Sequence, residues 1–266
     1  MSRGLGDVYK RQLATVLSQA VGAVWILHFL TGDKTILRLR KCNLKLKSTI
    51  IMPCLALGIS SFVMLSTESI LSVSFTSSLS RYGGDLAVGA MTIITSTNQL
   101  VLMPLQGICQ GGQPIMSYNY GAKNADRVKK TFRLLLITCL SYSVLLWAAV
   151  QLVPRVFVSI FTADTSLIEF TAPMLKIYLG GLFLFGIQIA CQMTFTSLGK
   201  AVNSIIVAVV RKFVLLIPLI YIMPHMISDS TTGVYMAEPI ADITAVIFTS
   251  VLFTFQFKKA LAEIQN

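Results

Sequence analysis

Charge is what this chain has least of. Only 12% of its 266 residues are Asp, Glu, Lys or Arg, against about 25% in an ordinary soluble domain. Histidine is scarcer still: His28 and His225 lie near the ends of apolar stretches on opposite sides and cannot share a site. Five cysteines neither pair by number nor fall at metal-ligand spacing. Cys54, Cys109, Cys139 and Cys191, all within apolar stretches, read as small packing residues, and Cys42 lies in a basic loop. No Walker A, dinucleotide-binding, zinc-protease or nucleophile-elbow pattern occurs. Neither an enzyme, an ATPase nor a resident cofactor is therefore expected. The short alternating segments of a membrane β-barrel are missing too.

What is present is hydrophobic: 55% of residues, with a mean hydropathy of +0.74. Seven stretches reach the roughly 20 residues that cross a bilayer: 13–31, 49–77, 86–117, 133–161, 171–198, 203–224 and 233–256. The expected fold is all-α, a polytopic membrane protein with seven transmembrane helices. Six follow one another as three hairpins, and the first stands apart. Six plus one suggests a transporter of two six-helix lobes, an arrangement common among secondary transporters.

The net charge of +11 could point to nucleic acid, but its placement does not. Lys34, Arg38, Arg40, Lys41, Lys45 and Lys47 fill loop 32–48, Lys123, Arg127, Lys129, Lys130 and Arg133 fill 118–133, Lys200 follows the fifth span, and Lys258 and Lys259 the seventh. The intervening loops hold Arg81 with Asp85, Asp164 with Glu169, and Asp229. This alternation is the positive-inside rule. It places the basic loops and the C-terminus in the cytoplasm of a multi-pass protein of the cell (inner) membrane. The partner it implies is the lipid bilayer, with no nucleic acid. The opening string MSRGLGDVYKRQ is too polar for a signal peptide and is set aside as a non-native leader. The expected organisation is leader 1–12, last helix of an N-terminal lobe with its basic inter-lobe loop 13–48, six-helix C-terminal lobe 49–258 and cytoplasmic tail 259–266. The rest of the N-terminal lobe is then a missing partner upstream.

Three acids fall within spans: Glu68, Glu238 and Asp242. A charge near the bilayer centre costs about 2.5–3.5 kcal/mol on insertion scales, so each is a functional candidate. Glu238 and Asp242 are four apart and share a helix face. Two carboxylates in low dielectric tend to hold a proton or a cation between them, and Pro239 between them frees a backbone carbonyl. All three are candidates for cation coupling. Gln99, Gln106, Gln110 and Gln113 form a polar stripe on one face of span three, and Gln188 and Gln192 lie one turn apart in span five beside Phe183, Phe185 and Phe195. These six amides are the candidate lining of a substrate cavity, and the aromatics suit an organic cation. Arg211–Lys212 interrupts span six. The pair is expected to snorkel to the cytoplasmic face; the alternative is that Arg211 pairs with an intramembrane acid.

At QPIMSYNYGAKNADRVKKTFR (113–133) the chain resembles the multidrug and toxic compound extrusion (MATE) transporters. Gln113, Pro114, Tyr118, Asn119, Tyr120, Gly121 and Ala122 match the segment that ends the family's eighth helix. RYGGDLAVGAMTI (81–93) resembles the opening of that helix, AEPIADI (237–243) the twelfth, and LATVLSQ (13–19) the start of the sixth. The resemblance implies helices six to twelve of twelve, and an antiporter that exports hydrophobic or cationic drugs and toxic compounds against inward H+ or Na+ flow. It implies that Glu68 matches an acid used in cation coupling, with Na+ at Glu68 as the only metal to expect. An acid that some members carry on the tenth helix has no counterpart within 171–198. The alternatives are a lipid-linked sugar flippase or metabolite exporter of the same superfamily, and a membrane fragment that does not transport.

Overall fold

The computed structural model describes residues 2–32 and 48–265. These are almost entirely helical, with no strand among them. The helices are α1 (Ser2–Thr31), α2 (Ser48–Gly121), α3 (Ala125–Leu152), α4 (Pro154–Ser159), α5 (Thr165–Tyr178), α6 (Leu182–Ser197), α7 (Ala201–Val209), α8 (Ile217–Met226) and α9 (Ser230–Gln265). The basic loop with Lys34, Arg38, Arg40, Lys41, Lys45 and Lys47 lies outside the described residues. Two compact units are present, Met1–Phe62 and Val63–Asn266. In the first, α1 takes in residues of the opening string as one helix with the first span, and its large apolar side chains, Trp25 and Phe29 among them, are exposed.

Among the described residues, six segments are long and apolar enough to cross a membrane. The longest, Ser66–Gly121, has 56 residues and would measure about 84 Å if straight. It is not straight. Gly84 has φ 63° and ψ −160°, a conformation that costs a glycine little and other residues much. Glu68 and Gln106 would lie about 57 Å apart on one straight helix, yet both line the same cavity. The chain therefore folds back at Gly84, and the two arms of α2 are spans two and three of the sequence.

Other boundaries have local causes. Span four, expected over 133–161, begins at Ala125 behind the N-cap Asn124, whose side chain accepts from Arg127 N at 3.0 Å. It ends at Leu152, because Pro154 carries no N–H and Val153 before it leaves the helical region. Span five begins at Thr165 behind Asp164, which accepts from Ser166 N and Leu167 N. It tightens into a 3₁₀ turn at Leu179–Gly181, and Gly199, at φ 72°, follows its end. In span six the helix widens to a π-helical turn over Val210–Leu216, where Ile217 N bonds to Lys212 O, just before Pro218. Such turns are rare and frequent at functional sites.

The main core of the second unit joins both arms of α2 to α5, α6, α8 and α9, around Leu79, Ile94, Leu175, Ile220 and Tyr235. Its two ends differ. At one, Tyr82 O accepts from Thr231 Oγ1 at 3.1 Å and Tyr82 Oη lies 3.5 Å from His225 Nε2. At the other, Lys200 pairs with Glu263 at 3.0 Å, and Tyr120 Oη reaches Glu263 at 3.5 Å. The turn after Arg81 and the Asp229 loop thus lie at the first end, and the Lys200 turn, the end of α2 and the end of α9 at the second.

Candidate functional site

A cavity of about 600 Å³ opens between the arms of α2 and the helices facing them. All three intramembrane acids, Glu68, Glu238 and Asp242, line it, together with Arg211 and Lys212. Snorkelling is thus the wrong expectation for the basic pair. Arg211 Nη2 lies 2.7 Å from Glu238 Oε1 and 2.6 Å from Asp242 Oδ1, and Arg211 Nε donates to Asp242 Oδ1 at 2.6 Å. Lys212 Nζ pairs with Glu68 Oε1. The two bases are turned inward because acids from α2 and α9 meet them there, and a buried charge is tolerable only when paired.

Local structure explains each placement. The π turn carries Arg211 and Lys212, adjacent in sequence, into one cavity wall. On α9, Glu238 and Asp242 share a face one turn apart, and Pro239 between them packs against the 3₁₀ turn of span five. A Cβ on Gly181 would stand 3.0 Å from Asp242 Cβ and 3.3 Å from the Pro239 backbone, so the absence of a side chain there lets the turn close over Asp242. The Glu238 and Asp242 side chains are 9% exposed and that of Arg211 13%. The Glu68 side chain is 60% exposed, facing the cavity, and its Lys212 partner 10%. Glu238 Oε2 is buried with no hydrogen-bond partner among the described residues. Three carboxylates face two cations, which leaves one formal negative charge in the cavity wall.

The polar stripe divides. Gln99 and Gln106 line the cavity, with Asn98 beside them. Gln110, exposed, and Gln113, half-buried, lie further along the arm and do not line it. Gln188 is buried in α6 away from the cavity, and Gln192 reaches towards Ser204 O at 3.5 Å. Of the span-five aromatics named above, Phe183 packs on Trp147 and Phe195 on Phe253, whereas Phe185 lines the cavity with its ring 4.7 Å from the Arg211 guanidinium. Phe75 and Tyr178, a T-shaped pair 6.1 Å apart, line the cavity as well, which sequence reasoning missed. The resemblance motif sits at the basic end. Asn119 Nδ2 donates to Ile115 O at 2.7 Å, the N–H groups of Ala122 and Asn124 return to Tyr118 O and Asn119 O, Lys123 takes φ 56°, and Tyr118 is exposed. Pro114, Tyr118, Asn119, Tyr120 and Gly121 thus build a helix end and turn. No group of three or more metal-ligating side chains occurs among the described residues.

Among the described residues the second unit is thus an all-helical bundle of membrane-crossing length, hollowed around paired charges. The MatE family profile matches residues 60–222, and the chain belongs to that family. It is 24% identical over 240 residues to the multidrug export protein MepA of Staphylococcus aureus (strain NCTC 8325 / PS 47), covering 89% of this chain and 51% of that protein. A MATE protein solved in a bent conformation superposes with a TM-score of 0.83 at 18% identity, over 96% of this chain and 56% of that one. The MATE multidrug transporter DinF-BH, solved in complex with R6G, gives 0.77 at 33% identity, over 94% and 55%. The chain spans about half the length of the relatives it matches.

Proposed function

We propose that the second unit is the C-terminal lobe of a cation-coupled exporter of hydrophobic or cationic small molecules, in a cell membrane with the basic end and the C-terminus cytoplasmic. The observation that carries this reading is the single uncompensated negative charge in the cavity wall. One monovalent cation, H+ or Na+, neutralises it. When the cation is bound, the wall is neutral; when it leaves, the wall attracts a cationic substrate. Rocking of this lobe against a second one would expose the cavity to each side in turn. Asn98, Gln99 and Gln106 offer hydrogen bonds, and the Phe75 and Tyr178 faces offer apolar and cation–π contact. The names of MepA and DinF-BH, and the R6G bound to the latter, support a drug cargo.

The test neutralises one acid of the Arg211 triad in the full-length transporter. Glu238→Gln or Asp242→Asn leaves Arg211 one carboxylate partner, so the protein folds, but the exchangeable charge is gone. R6G efflux from cells is expected to fall at least tenfold at unchanged membrane expression. Efflux at the wild-type rate in both variants would remove the triad from coupling.

A further inference from the structure

We infer that Lys212 is a tethered counter-cation that takes the place of a Na+ ion at Glu68 and so decides which ions the cavity accepts. The proposal rests on Glu68 being a wall of the transport cavity, as in the reading above. The Lys212 ammonium is bonded to Glu68 Oε1, so the approach a hard cation would use already carries a full positive charge. A hard cation needs several oxygen ligands converging on it; at Glu68 the closest partner instead presents N–H donors. The Lys212 side chain is only 10% exposed and held in the π turn beside Arg211, itself fixed by Glu238 and Asp242. The ammonium is therefore held at Glu68 by a buried stem anchored in the π turn. A Na+ site at Glu68 does not fit these residues. Glu68 is the acid whose charge is already balanced, and the excess charge resides on the α9 pair.

The inference makes Lys212 a specificity-determining residue, with a readout that does not depend on transport. The purified full-length transporter is heated in detergent with saturating NaCl or with choline chloride of equal ionic strength. Wild-type protein is expected to show no NaCl protection that Glu68→Gln removes. Lys212→Met and Lys212→Gln free the Glu68 carboxylate; at about hundredfold excess of Na+ over its Kd, each gains roughly 3 °C in NaCl alone. Adding Glu68→Gln to either variant abolishes the gain. Sodium protection of the wild type that Glu68→Gln removes would overturn the inference, as would folded Lys212 variants that ignore Na+. Should neither Lys212 variant fold, the wild type decides: Na+ protection dependent on Glu68 refutes, and its absence supports. Loss of R6G efflux plays no part in this test, so coupling through the α9 acids and ion exclusion at Glu68 can fail separately.

Discussion

Arg211 is the residue on which the cavity wall depends. Its guanidinium makes contacts of 2.6 and 2.7 Å to two carboxylates whose side chains are 9% exposed. Arg211→Met keeps most of the apolar volume and leaves Glu238 and Asp242 facing each other one helical turn apart. Breaking a buried pair by removing one partner costs about 3–5 kcal/mol. At roughly 2–4 °C per kcal/mol for a chain of this size, unfolding should come about 6–20 °C earlier. Replacing all three with apolar residues (Arg211→Met, Glu238→Met, Asp242→Leu) leaves no orphan, and exchanging a whole buried ionic group for well-packed apolar residues of similar volume is often neutral or better. The triple variant is therefore expected within a few degrees of wild type, although it carries more substitutions. The assay is the fraction of monodisperse protein by size exclusion after a temperature series in detergent. If Arg211→Met melts within about 2 °C of wild type, or the triple variant is no better than the single, the triad is not the buried, desolvated ion cluster described above.

Two further outcomes test the packing and the acid-bearing end. A Cβ on Gly186 would meet Cys139 O at 2.5 Å and Ser143 Oγ at 2.7 Å, whereas one on Gly107 meets nothing within 4 Å. Gly186→Ala should thus cost about 1–3 kcal/mol by overpacking and Gly107→Ala should be neutral or slightly stabilising, compared in the same melting assay. At Asp164, hydrogen bonds from the Ser166 hydroxyl and then from the Ser166 and Leu167 N–H groups hold the carboxyl below 3.8. A depressed folded value means that the cap stabilises above the unfolded value and is lost as pH falls through the folded one. Asp164→Ala should therefore lower the melting temperature at pH 6, and the gap from wild type should close as pH drops below 3.8; a gap that persists in acid would assign the effect to something other than the ionised cap.

Much of the fold was legible because lipid imposes a length. Six described segments are long and apolar enough to cross a membrane, and the loop holding Arg81 and Asp85 became a reversal at Gly84 within the longest of them. Caps and prolines then moved the boundaries: Asn124 opened α3 earlier than the apolar run, and Pro154 closed it sooner. The acids were found by the cost of placing charge in hydrocarbon. Their partners were not, because pairing crosses helices: Glu238, Asp242 and Glu68 lie 27, 31 and 144 residues from the bases they meet. Helical periodicity reports which residues share a face and is silent about which face of another helix lies opposite. Hence the upper glutamines of the stripe reached the cavity, while Gln110, Gln113, Gln188 and Gln192 did not.

One signal was nonetheless available in the sequence. Span six carries Arg211 and Lys212 some nine residues from its start, with no acid on the same span. Two cations so deep in a 25-residue apolar helix must be neutralised from elsewhere, and among the remaining spans the only acids are Glu68, Glu238 and Asp242. Low dielectric favours pairing of charges far more strongly than water does. Arg133, Arg155 and Lys176 also fall within spans but do not line the cavity; in its wall two bases claim two of the three acids, and a single unit of negative charge remains. The geometry adds which acid is released from that count: Lys212 settles Glu68, and Arg211, shared by two carboxylates, leaves the residual charge on α9. Under the function proposed above, a coupling ion of one positive charge matches that remainder, and its binding and release should be sought on Glu238 and Asp242.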